Sequence, residues 1–192
     1  DIAGPFVRSH SGGHQYLLVL VDDHSRVKMA YPMQSKSHAI RYVRTFVAAL
    51  NELCSRGKSE PIKVVGSLHT DNAGEFLSRE FKEFLDSELI SSSTCPPHVH
   101  SLNGVAERAI RSIMELVRSN QVASQCPVSF WPYLVTHALD VLNRTTGPPG
   151  GDTSSFEVVT GVCPKVMSIM PFGCRAYAVK PRSQYSKTSI DA

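Results

Sequence analysis

Two acidic side chains stand where this chain could grip divalent cations. Asp71 closes the apolar run Val64-Val65-Gly66-Ser67-Leu68, which reads as a buried strand, inside His69-Thr70-Asp71-Asn72-Ala73-Gly74-Glu75-Phe76. Glu107 falls in the first turn of a long amphipathic helix, within Ser101-Leu102-Asn103-Gly104-Val105-Ala106-Glu107-Arg108, and 35 residues lie between the two carboxylates. A strand-end Asp and a helix-borne Glu can hold hard cations between them. Paired cations activate a hydroxyl and stabilise the leaving oxygen of a phosphodiester. Each residue alone has a plainer reading. Asp71 could close an Asx-turn, and Glu107 could sit on a solvated face, paired with Arg111 at i,i+4 for about 0.3–0.5 kcal/mol.

The elements that must position these groups follow from patterning. At 100° per residue, Val105, Ala109, Ile113 and Leu116 share one face of the Glu107 helix, with Ala106, Ile110 and Val117 beside them. Asn103, Arg111, Met114 and Arg118 share the face of Glu107. Asn103 can cap the helix and Gly104 permits close approach of backbone or ligand. The pattern predicts a helix from about Gly104 to Ala123. A second follows Pro127, from about Val128 to Asn143, with Trp131 in the core and Asn143-Arg144 at its end.

Upstream, Tyr16–Val21 is a continuous apolar run, Asp22-Asp23-His24-Ser25 a turn, and Val27–Met33 the partner strand of a hairpin. Ser37 is placed to cap a helix from about His38 to Leu53, with Ile40, Val43, Phe46, Val47 and Leu50 on one stripe. Ile62–Leu68 is the strand that presents Asp71. Ser78 caps a helix over Arg79–Ser87 that buries Phe81, Phe84 and Leu85, and Leu89-Ile90 is a short strand. Thr94–Ser101, with Pro96-Pro97, His98 and His100, is a loop. Gly147–Gly151 is a linker candidate, Ser154–Thr160 a short helix closed by Gly161, Arg175–Val179 a strand, and Pro181 onward a tail. This order implies an α/β sheet with helices on its faces.

Composition sets bounds. The 192 residues are 42% hydrophobic and 19% charged, enough to bury an ordinary core. A net charge of +3 permits nucleic-acid binding only through a local basic footprint. No run of eighteen apolar residues suggests a membrane span and no secretory signal opens the chain. Cys54, Cys95, Cys126, Cys163 and Cys174 form no C-x-x-C pair, so reduced thiols are expected. His10-x3-His14 has finger-like spacing but no cysteine pair to complete a zinc site. The chain opens at Asp1 without a Met and is expected to be part of something longer.

The motifs Asp1-x-x-Gly4-Pro5, Val21-Asp22-x-x-Ser25-Arg26, Thr70-Asp71-Asn72-x-Gly74-Glu75-Phe76, Asn103-Gly104-x-x-Glu107-Arg108, Phe130-Trp131, Leu142-Asn143-Arg144 and Pro171-Phe172-Gly173 span nearly the whole chain. Together they resemble the DD35E catalytic core of retroviral and retrotransposon integrases, and most closely the copia type of LTR retrotransposon. The resemblance implies an α/β, ribonuclease H-like fold, a mixed five-stranded sheet flanked by helices. It implies a catalytic core over residues 1–146, with 147–192 as linker and C-terminal extension.

The family uses two Asp and one Glu. Its fold sets the first Asp on strand one, with two further strands before the first long helix. Asp22 leaves one such strand downstream and Asp1 leaves both, so Asp1 is preferred and Asp22 reads as a turn residue. Asp1, Asp71 and Glu107 would then hold two Mg²⁺ ions, with Mn²⁺ as substitute, for 3′-end processing and strand transfer of element DNA into target DNA. Asn103, Arg108, Arg111 and Arg118 would contact DNA. Retroviral relatives often carry lysine where this chain has Met114. The resemblance further implies LTR-end and target DNA as partners, a homo-oligomer, and release from a polyprotein with protease and reverse transcriptase. It implies action in the nucleus after a virus-like particle or cytoplasmic stage. Two other readings stand beside it: a decayed or domesticated DNA-binding or assembly module, and a ribonuclease H-like nuclease.

Overall fold

A computed structural model describes residues 1–55, 63–71, 74–94 and 104–177. The central strand explains the architecture. β2 (Tyr16–Val21) is flanked by β1 (Ile2–Ala3) and β3 (Lys28–Met33), both antiparallel to it, with Ile2 opposite Leu18 and Leu18 opposite Tyr31. Successive side chains of a strand point to opposite faces. Leu18 and Leu20 therefore enter one core with helices α1 (Ala39–Ser55) and α2 (Arg79–Glu88). Leu17 and Val19 enter a second core with α3 (Gly104–Ser124) and α4 (Trp131–Thr145). Both faces are covered, which is why β2 reads as an unbroken apolar run. The result is three layers, with helices on either side of a sheet.

Helix α1 buries the expected stripe of Ile40, Val43, Phe46, Val47 and Leu50. Its entry differs from expectation. Ser35, not Ser37, accepts the capping N–H, and a 3₁₀ turn at Lys36–His38 leads into the helix. Helix α2 starts as expected, with the Ser78 hydroxyl accepting from the Phe81 N–H at 3.3 Å, and buries Phe81, Phe84 and Leu85.

The second strand pair departs from the sequence pattern. β4 is Ser67–Thr70 rather than Ile62–Leu68, and it is half-exposed, with Leu68 and Thr70 buried and Ser67 and His69 out. Val64 lies outside the strand, its N–H held by Asn51 Oδ1 at 2.9 Å. The partner β5 is Ser91–Thr94, not Leu89-Ile90. Leu89 instead takes the left-handed conformation (φ 57°) that ends α2 and donates to the Asp86 and Leu85 carbonyls. β4 and β5 are parallel, with Leu68 opposite Ser92. Among the described residues, five strands thus form a three-stranded and a two-stranded sheet, where one continuous five-stranded sheet was expected. β1 contributes only two ladder residues, both paired with β2.

Beyond α3, a 3₁₀ turn at Val128–Phe130 precedes α4, and Trp131 is buried with its indole N–H donating to the Val7 carbonyl at 2.9 Å. Asn143 does not cap α4. It reaches across to β3, accepting from the Lys28 N–H at 2.9 Å and donating to the Lys28 carbonyl at 2.7 Å. Arg144 pairs with Asp140 at 2.7 Å. A Cβ at Gly147 would collide with the Thr153 carbonyl oxygen, so only glycine fits this corner. Helix α5 (Ser155–Thr160) follows, capped by Ser154 and closed by Gly161, with Val159 against the α1 side of the core. Arg175–Tyr177, expected to begin a strand, is irregular; Ala178 and Val179 lie outside the described residues. No helix among the described residues is long and apolar enough to cross a membrane.

Candidate active site

Asp1 continues β1 into the sheet. Its α-amino group donates to the Val19 carbonyl at 2.9 Å, and its own carbonyl accepts from the Val19 N–H at 2.8 Å. One carboxylate oxygen, Oδ1, accepts from the Ile2 N–H at 2.6 Å. The residue is therefore seated, not frayed. Asp1 thereby faces the end of β4: it lines one cleft together with Ser67, Leu68 and His69, two residues before Asp71.

Asp22 behaves as a turn residue. Its Oδ2 accepts from both the N–H and the hydroxyl of Ser25, at 2.8 and 2.7 Å. Arg26 then adopts a positive φ of 60° and donates its N–H to the Asp22 carbonyl at 2.9 Å.

A cleft of about 710 Å³ opens beside Asp1. Asp1, Asp22 and His69 line it, and so do Val105 and Ala106 of the first turn of α3. Glu107, the next residue, lies in that same turn and is exposed. His69 was not singled out from sequence. Its ring nitrogen Nδ1 meets Ser93 Oγ at 2.8 Å across the β4–β5 pair; alternation along a four-residue strand was the available signal, and the strand was misplaced.

Arg108, Arg111 and Arg118 are exposed on α3, while Ala109, Ile113 and Val117 are buried. Met114 packs partly against the second core instead of standing free beside Glu107. The expected Glu107–Arg111 ion pair does not form among the described residues. Asn103, Cys95, His98 and His100 lie outside the described residues. Cys54, Cys126, Cys163 and Cys174 are free thiols. His14 meets Ser9 Oγ at 3.2 Å and His10 stacks on Phe130, so the histidine pair is engaged within the protein.

Asp1 and Asp71 supply carboxylate oxygens, the donor type that hard divalent cations select. Among the described residues, however, no three His, Cys, Asp or Glu side chains are gathered closely enough to hold a metal ion. The structure brings Asp1, the end of β4 and the first turn of α3 to one cleft without gathering the three carboxylates into one group.

Comparison with known proteins adds to this geometry. Residues 1–100 match the integrase core domain. Over 187 residues, 97% of this chain, it is 33% identical to the retrovirus-related Pol polyprotein from transposon TNT 1-94 of Nicotiana tabacum. Over 186 residues, 96% of the chain, it is 29% identical to the corresponding polyprotein from transposon RE1 of Arabidopsis thaliana. The chain spans only 14% and 12% of the lengths of these two relatives. Among solved structures it is similar to a chain of the simian T-cell lymphotropic virus intasome in complex with PP2A regulatory subunit B56 gamma. There the TM-score is 0.64 at 20% identity, covering 94% of this chain and 58% of that one. It is also similar to the HTLV-2 integrase catalytic core domain in complex with magnesium, trimeric form. That TM-score is 0.57 at 22% identity, covering 83% of this chain and 92% of that one. These structural likenesses give the fold: mixed α/β and ribonuclease H-like.

Proposed function

The chain belongs to the integrase core domain family, and from that membership we propose that it is the polynucleotidyl-transferase core of a copia-type retrotransposon integrase. Two reactions share the site. Water trims the 3′ end of the element's DNA, and the new 3′-hydroxyl attacks a phosphodiester of target DNA. The observation that carries the reading is one cleft lined by Asp1, by β4 up to His69, two residues before Asp71, and by the first turn of the Glu107 helix.

Asp1, Asp71 and Glu107 are the residues that would hold two Mg²⁺ ions, or Mn²⁺ in their place. Such ions supply activation of the attacking hydroxyl and stabilisation of the leaving 3′ oxygen. The chain's own groups do the rest. The sheet fixes Asp1 through Val19. The exposed Arg108, Arg111 and Arg118 offer planar forks to phosphate oxygens along α3, with Asn103 just ahead of them. No side chain forms a covalent bond to DNA. In this reading residues 1–146 are the core and 147–192 its extension. The whole protein is a Pol polyprotein product with protease and reverse transcriptase beside it, working in the nucleus as a homo-oligomer on two DNA ends.

Strand transfer in Mg²⁺ by the longer protein is the test. Glu107→Gln is expected to abolish it, and full activity in that variant would remove Glu107 from the site. One observation favours a second reading, a DNA-binding or assembly module without catalysis: Glu107 is not gathered with Asp1 and Asp71. Mn²⁺ titration separates the two, because a decayed site shows no binding that depends on Asp71.

A further inference from the structure

A smaller hollow adjoins the carboxylate cleft, and Val21 and Val105 line both. Its volume is about 190 Å³, several times the roughly 30 Å³ that a water molecule occupies in the liquid. Arg26, Lys28 and Arg108 line it together with Ser112, and none of its described lining residues is acidic. Three cations sharing a small concavity is an unfavourable arrangement unless an anion answers them.

The local bonding leaves that charge largely unanswered. Arg26 Nη1 meets Asp23 at 2.9 Å, but Asp23 is exposed, and Arg26 Nε is buried with no hydrogen-bond partner. A buried donor left so costs about 1–3 kcal/mol. Lys28 Nζ donates to neutral acceptors, the Arg26 carbonyl at 3.1 Å and Thr146 Oγ1 at 3.3 Å. Burial first and Arg26 second hold the Lys28 ammonium below its ordinary pKa. Arg108 makes no ion pair among the described residues.

We propose that this hollow is a phosphate seat, taking a backbone phosphate of the bound nucleic acid next to the phosphodiester that faces Asp1 and Asp71. The nucleic-acid partner rests on the integrase reading; the oxyanion chemistry rests on the hollow itself. Arg26 supplies a guanidinium on the hollow's wall, Lys28 the point charge and Arg108 a fork from the opposite element. The wall shared with the cleft sets the two phosphates side by side.

The test uses the full chain, a labelled DNA duplex and, separately, inorganic phosphate. Arg26→Gln and Lys28→Gln are each expected to weaken duplex binding several-fold and to lower the slope of log K against log salt by about one. Inorganic phosphate is expected to shift the Arg26 Nε–H resonance. Arg79→Gln, on α2 and paired with Glu83 at 2.7 Å, is expected to leave both readouts unchanged. Thermal melts check that each variant folds. Wild-type affinity and slope in both pocket variants, with no phosphate shift at Arg26, would overturn the seat. A phosphate shift at Arg26 in a chain that binds no duplex keeps the seat and removes the nucleic-acid partner.

Discussion

Asp1 and Glu107 are held in opposite ways. Asp1 is tied to Val19 through both backbone groups, and its carboxylate is anchored by the Ile2 N–H. Glu107 is exposed in the first turn of α3 and makes no ion pair among the described residues. The strand-borne half of the site is preformed by the sheet. The helix-borne half has a firm base, since Ala109, Ile113 and Val117 bury the helix behind it, but its acidic side chain is left for a ligand to collect. In the proposed reading, a site divided in this way would recognise its ions and DNA together, because neither half would complete the coordination alone.

The sharpest break in this comparison is functional. Asp71→Asn is expected to reduce strand transfer by the longer protein on the order of 10³-fold or more, with Glu107→Gln as severe, since both serve one chemical step. A mild effect from one and a severe effect from the other would show that the halves do not act as a unit. Next comes the base of the helix. Ile113→Ala removes a fully buried side chain and is expected to cost about 2–5 kcal/mol in urea unfolding. Asn143→Ala strips both backbone contacts from Lys28 and is expected to cost about 1–3 kcal/mol by the same measurement.

The smallest expected change is in the stability of Glu107→Gln, within about 0.5 kcal/mol of wild type. A larger loss would mean that Glu107 is structurally engaged, not held ready.

Legibility in the sequence followed burial. β2, the α1 stripe, the Ser78 cap and the Gly104 start of α3 were all readable, because strongly buried faces impose their period on composition. β4 and β5 were not. They form a half-exposed parallel pair built of Ser67-Leu68-His69-Thr70 and Ser91-Ser92-Ser93-Thr94, and polar side chains carry little strand signal. The apolar Val64-Val65 and Leu89-Ile90 drew the assignment away, yet Leu89 is 85% exposed and spends its backbone on ending a helix.

The Asp71 and Glu107 motifs suggest their chemistry in the sequence alone. The cleft that Asp1 shares with the end of β4 and the first turn of α3 had to come from the folded chain. So did the hollow that sets Arg26 and Lys28 beside α3 and the Gly147 corner, more than seventy residues away in sequence.

The amide of Asn143 has a consequence for assembly. β3 is the outer strand of its sheet among the described residues, and an uncovered outer strand invites a second chain to zip onto it. Here the carboxamide already occupies the Lys28 peptide, and Pro32, four residues along, has no N–H to give. Copies of this chain that join edge to edge along that border would therefore have to evict Asn143.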